Sequence, residues 1–112
     1  MPILVSPSMS GGYSLPFVIN YCDQLGGFVA VSPVGIERFQ DELKGIKLPT
    51  LAIWGSNDRI VPTEKADLLA ELMPHIQKVI LTDAGHACYV KKTEEFHEHL
   101  IKFIESIDLL KK

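Results

Sequence analysis

The sequence predicts an α/β fold, four short parallel strands alternating with helices in one domain. Three observations carry that reading. Apolar runs of three or four residues recur at Ile3-Leu4-Val5, Phe28 to Val31, Leu51 to Trp54 and Val79 to Leu81. Each is closed by turn-forming residues, and the stretches between them show helical spacing. The chain has 112 residues, 46% hydrophobic and 22% charged, which gives one domain enough material for a core.

The elements follow in order. The run Ile3 to Val5 leads into Ser6-Pro7-Ser8, and a helix is expected over Gly11 to Tyr21, with Tyr13, Phe17 and Tyr21 on one side. Pro16 is placed in its first turns, where proline costs least. Gly26-Gly27 introduces the second strand and Ser32-Pro33 closes it. Ile36 to Ile46 is a polar helical stretch. Pro49 launches the third strand and Gly55 stops it. Pro62 to Met73 reads as a helix capped by Thr63, with Ala66, Leu69, Leu72 and Met73 at helical spacing. The fourth strand ends at Asp83-Ala84-Gly85. A last helix starts at Thr93 as a cap, with Glu94 and Glu95 favourable in its first turn. Its buried stripe is Phe96, Leu100, Phe103, Ile104 and Ile107. A β-α-β-α-β-α-β-α order implies a parallel sheet covered on both faces.

Composition excludes several classes. The formal net charge is -3 and the 11 basic residues are scattered, so no nucleic-acid partner is expected. Two cysteines, Cys22 and Cys88, are too few for a disulfide-stapled secreted domain. They read as thiols of a reducing compartment, which points to the cytoplasm, with the nucleus also open. The N-terminus lacks a positive region and a long apolar run, so it is no signal peptide. No window reaches the roughly 18 apolar residues that span a bilayer. A membrane anchor, if the natural protein has one, lies outside this chain.

In parallel α/β sheets, sites form at the carboxyl ends of strands. Three strand ends here carry groups suited to acyl transfer. Ser8 follows the first strand in Ser6-Pro7-Ser8-Met9-Ser10, a strand-to-helix turn of the small-x-Ser-x-small kind. Such a nucleophile elbow needs small residues two before and two after the serine, because helix and strand backbones crowd there. Glycine usually fills both places, and here Ser6 and Ser10 do. Asp58 follows the third strand in Gly55-Ser56-Asn57-Asp58. His86 follows the fourth in Ala84-Gly85-His86, where glycine is expected to let the chain turn sharply. Taken singly, each has a plain alternative: a polar loop capping a helix, a turn aspartate, a surface histidine. Taken together they occur as Ser, Asp, His, each directly after its own strand, which is the alpha/beta-hydrolase order. A neutral serine needs a base to take its proton, and the base works best when a carboxylate holds it. His75, His97 and His99 read as structural or solvent-exposed. Cys88 reads as a buried thiol under the loop, and Asp83 as a turn-shaping residue. No spacing matches a metal site or phosphate loop, so neither metal nor organic cofactor is expected.

The chain resembles the alpha/beta-hydrolase domain-containing 14 family nearly end to end. The resemblance rests on Val5-Ser6-Pro7-Ser8-Met9-Ser10-Gly11 with Tyr13-Ser14-Leu15-Pro16-Phe17, then Gly27-Phe28-Val29, Pro49-Thr50-Leu51 leading to Gly55, and Ala84-Gly85-His86-Ala87-Cys88-Tyr89. It implies Ser8 as nucleophile, Asp58 as acid, His86 as base and the Met9 N–H as an oxyanion donor. It also implies a small serine esterase acting on short acyl groups, with acyl-lysine or a thiol acceptor as acyl partners. Members of this family carry further strands and a His-Gly loop upstream of the elbow, and that loop supplies a second oxyanion N–H.

This chain begins at the elbow's own strand. The expectation is that residues 1–112 form a single partial domain, the C-terminal half of the alpha/beta-hydrolase fold, with the Ile3–Val5 strand as a raw edge. Losing one oxyanion donor typically costs about 100- to 1,000-fold in rate, so the chain alone is expected to be weak or inactive. The expected partner is a small-molecule acyl substrate. The alternative function is a non-catalytic interaction module, or a truncated isoform binding a protein partner through that edge.

Overall fold

The computed structural model describes residues 3–7, 11–73 and 75–110. Strands β1 (Ile3–Pro7), β2 (Gly27–Val31), β3 (Thr50–Gly55) and β4 (Ile76–Leu81) form a sheet in the order β1-β2-β3-β4. All three neighbouring pairs are parallel, so every strand ends at the same edge of the sheet. The helices are α1 (Gly11–Tyr21), α2 (Gln40–Leu43), α3 (Glu64–Leu72), α4 (Cys88–Lys91) and α5 (Thr93–Leu110), with short 3-10 turns at Cys22–Gln24 and Ile36–Phe39.

The two central strands are buried at every residue, as a parallel sheet covered on both faces requires. Successive side chains point to opposite faces. Phe28, Ala30, Ala52 and Trp54 therefore join one core with Leu15 and Val18 of α1, Leu43 of α2, and Ala66, Leu69 and Leu72 of α3. Val29, Val31, Leu51 and Ile53 join the other with Phe96, Phe103 and Ile107 of α5. Trp54, Phe28 and Phe103 are the largest fully buried side chains, and burying one such residue contributes about 1.5–3 kcal/mol.

Several expectations are corrected in detail. The aromatic stripe of α1 does lie on one side, and the Phe17 and Tyr21 rings sit 4.9 Å apart. It is the exposed side, however: Tyr13 is 85% exposed, while Leu15 and Val18 face the sheet. Pro16 lies inside the helix, where it removes an intrahelical hydrogen bond. The stretch Ile36 to Ile46 is not one helix but a 3-10 turn followed by the single turn of α2. Thr63 precedes α3 without a side-chain cap, being already in helical backbone geometry. Thr93 lies within α5, and its hydroxyl donates to the Val90 carbonyl at 3.0 Å. Ile104 is at the rim of its stripe rather than buried. The one-turn α4 was not expected. Strand β1 is indeed an edge, with Val5 exposed. No helix among the described residues is long and apolar enough to cross a membrane.

Candidate active site

The carboxyl edge of the sheet gathers the loops after β2, β3 and β4. The loop after β3 is tied to that after β4 by main-chain bonds. Ser56 N–H donates to the Leu81 carbonyl at 2.9 Å, and Asn57 N–H to the Ala84 carbonyl at 2.9 Å. Gly55 permits this approach. A Cβ there would lie 2.2 Å from the Gly85 carbonyl oxygen and 2.3 Å from that of Ala84, so only glycine fits. Gly85, by contrast, has nothing within 4 Å of its virtual Cβ and no left-handed backbone. The sharp turn falls instead on Asp83, at φ 60, whose N–H donates to Ser56 Oγ. Asp83 thus shapes the turn, and the expected role of Gly85 belongs to its neighbours.

This packing sets Asp58 beside His86. Asp58 Oδ2 lies 2.9 Å from His86 Nδ1. Asp58 Oδ1 accepts the N–H groups of Ile60 at 2.9 Å and Val61 at 2.8 Å, in an Asx-type turn. Trp54 Nε1 donates to the Val61 carbonyl at 3.0 Å, which anchors the same loop to the core. The Asp58 side chain is 0% exposed and that of His86 is 18% exposed. Burial alone would raise the Asp58 carboxyl, but hydrogen bonds from His86, Val61 and Ile60, with a smaller contribution from the Ser32 hydroxyl, outweigh it and hold the group below the usual carboxylate range. Asp58 is therefore ionised at neutral pH and can only accept. In the neutral imidazole, therefore, His86 Nδ1 carries the proton and Nε2 the lone pair.

Of the residues singled out in the sequence, the structure brings Asp58 and His86 together. Ser8 and Met9 lie outside the described residues. The elements around them are placed: β1 ends at Pro7 and α1 opens at Gly11, beside Pro33 and Val34 after β2. Ser6 Oγ donates to Ser14 Oγ at 2.7 Å, so a buried hydroxyl pair couples the end of β1 to the first turns of α1. His75 and His97 are exposed and His99 is half-buried. Cys88 is fully buried in the core under α5, and it forms no disulfide with Cys22. Among the described residues no group of three or more His, Cys, Asp or Glu is placed to hold a metal.

Sequence reasoning missed the backbone amides of Ile60 and Val61, and it missed Ser32. The run Asp58-Arg59-Ile60-Val61 gives no sign that one carboxylate oxygen is spent on two amides. Ser32 looked like the end of a strand and nothing more.

Comparison with known proteins places this geometry in context. A family model described as alpha/beta hydrolase fold matches residues 11–93. The chain is 41% identical over 106 residues to "Protein ABHD14A" of Mus musculus, covering 94% of this chain and 42% of the mouse protein. It is 36% identical over 107 residues to the human protein named "Putative protein-lysine deacylase ABHD14B", covering 95% and 50%. The chain thus spans half or less of the length of these curated relatives. Among solved structures, a "predicted CIB-like hydrolase" from Thermoplasma acidophilum superposes with a TM-score of 0.80 at 30% identity, covering 96% of this chain and 49% of that one.

Proposed function

The chain belongs to the alpha/beta-hydrolase fold family and, within it, to the alpha/beta-hydrolase domain-containing 14 family, and from that premise we propose that it carries the triad of a serine hydrolase acting on small esters or short acyl groups. The observation that supports this most is the 2.9 Å contact between His86 Nδ1 and Asp58 Oδ2, at the sheet edge where β1 ends. An ionised, hydrogen-bonded acid holding a histidine in one tautomer is what an oxygen nucleophile needs.

In this reading Ser8 Oγ attacks the acyl carbon while His86 Nε2 takes its proton. The tetrahedral oxyanion is stabilised by the Met9 N–H. His86 then returns the proton to the leaving group, and an acyl-serine remains. Water repeats the cycle: His86 takes its proton, the hydroxide adds, and the acid departs as Ser8 regains its hydrogen. Asp58 keeps the imidazolium oriented throughout. The printed name of the human relative makes acyl-lysine side chains one substrate class to test. No metal or organic cofactor enters the steps.

Fluorophosphonate labelling tests the proposal, on this chain and on any longer gene product that carries it. Labelling that disappears in Ser8→Ala and His86→Ala supports it. Absence of labelling from folded protein in both contexts, or labelling that survives Ser8→Ala, overturns it.

The competing reading, an interaction module, draws on the edge position of β1 with Val5, Tyr13 and Phe17 exposed beside it. Folded protein that never labels but pairs through β1, with the pairing abolished by Val5→Lys, would favour that reading.

A further inference from the structure

Ser32, the first residue after β2, has a left-handed backbone at φ 45, and Asp83 is the other non-glycine residue described with positive φ. Such a conformation is unfavourable for a side chain bearing a Cβ, and it persists where the surroundings over-determine it. Here they do. Ser32 N–H donates to the Ile53 carbonyl at 3.1 Å, which locks the residue to β3. Just beyond it, Pro33 and Val34 press on Gly11, where a Cβ would lie 2.5 Å from the Val34 carbonyl oxygen. The chain therefore leaves β2 along a forced path.

That path carries the Ser32 side chain inward. The residue is 0% exposed. Its Oγ is the one buried side-chain polar atom among the described residues that does not complete a hydrogen bond. A buried hydroxyl in that state is costly, so it calls for a partner.

Asp58, in the loop that follows β3 at the same edge of the sheet, is the acceptor with room for it. Its carboxylate has about four lone-pair positions, and three are used by His86, Ile60 and Val61. The Ser32 hydroxyl also favours the ionised form of the carboxyl, after the larger effects of His86, Val61 and Ile60. The groups facing Asp58 are thus His86 from the loop after β4, two amides of its own loop, and Ser32 from the end of β2. No lysine, arginine or second carboxylate among the described residues contributes to its shift.

We propose that Ser32 is a positioning residue for Asp58, its hydroxyl closing onto the remaining lone pair of the carboxylate and so fixing the plane in which Asp58 holds His86. The catalytic meaning of this contact rests on the triad reading above; the contact itself does not. A hydroxyl that donates to the charged form holds the carboxylate ionised and still.

The test is a carbon-13 NMR titration of the Asp58 carboxyl in the wild type, Ser32→Ala and Ser32→Gly, with fluorophosphonate labelling in parallel. Glycine also removes the left-handed strain, so Ser32→Gly retains a folded chain even if Ser32→Ala does not. The expected result is that Asp58 titrates at higher pH in both variants and that labelling slows roughly tenfold, the scale of one lost hydrogen bond to a charged group. An Asp58 titration unmoved in folded variants overturns the proposal. If the wild type labels and Asp58 does not move, the hydrolase reading stands and this inference falls. If the wild type never labels yet Asp58 moves in both variants, the Ser32–Asp58 contact stands and the hydrolase reading falls.

Discussion

A Cβ on Gly55 would lie 2.2 Å from the carbonyl oxygen of Gly85, so the end of β3 and the loop after β4 meet backbone to backbone. Asp58 and His86 hang from those two segments. Their 2.9 Å contact is a consequence of that main-chain approach as much as of their own attraction.

Gly55→Ala should therefore destabilise the chain by about 1–3 kcal/mol, the cost of forcing atoms into a packed site, and should separate His86 from Asp58. Gly85→Ala is the control. With open space at its Cβ position, it should change stability by less than about 1 kcal/mol. Urea unfolding of both variants checks this, and equal losses would contradict it.

Asp58→Asn should leave the fold nearly intact, because the amide oxygen can still accept from Ile60 and Val61. The histidine loses its acceptor, and the wrong tautomer is then favoured. Fluorophosphonate labelling should fall by roughly 10⁴-fold, as in Ser-His-Asp enzymes generally. A fall of less than about tenfold would remove Asp58 from the mechanism.

The lowered Asp58 carboxyl links stability to pH. A group whose folded-state pKa is depressed contributes stability that is present above its unfolded value and lost as pH falls through the folded one. The wild type should accordingly lose stability on acidification through and below the ordinary carboxylate range. Asp58→Asn should show a smaller loss over that window. Denaturation midpoints measured from neutral to acid pH for both proteins decide it, and parallel curves would refute the linkage.

The Ser6–Ser14 hydroxyl pair couples β1 to α1. Removing one hydroxyl leaves the other buried and unpaired, so Ser6→Ala or Ser14→Ala should each cost about 1–2 kcal/mol. The double variant should cost less than the sum, because neither orphan remains. A double-mutant cycle by chemical denaturation measures the difference, and strict additivity would mean the bond contributes nothing.

How much of this was legible follows from the range of each interaction. The strand runs, their parallel order and the burial of β2 and β3 on both faces were readable, since short apolar runs between helices leave few alternatives. Each strand extends one to three residues beyond its run at one end or both, because main-chain pairing continues where side-chain pattern stops, as at Gly27, Thr50 and Ile76 to Lys78. The position of Asp58 and His86 at the sheet edge was readable because each follows a strand. The shared side of Tyr13, Phe17 and Tyr21 on α1 was readable from spacing, but that it is the exposed side was not, since it depends on Leu15 and Val18 filling the core.

By itself, then, the sequence determined the alternating α/β architecture and the placing of Asp58 and His86 at strand ends, because periodicity and turn chemistry act over a few residues. Only the tertiary structure decided which glycine permits the approach, that Asp83 and not Gly85 makes the turn, that Ser6 pairs with Ser14, and that Ser32 is driven inward at the end of β2. Those contacts join residues from 8 to 30 positions apart in chain number, counting Ser6 to Ser14 and Gly55 to Gly85. They depend on atoms from separate strands and loops meeting within a few ångströms, and nothing local in the chain encodes that meeting.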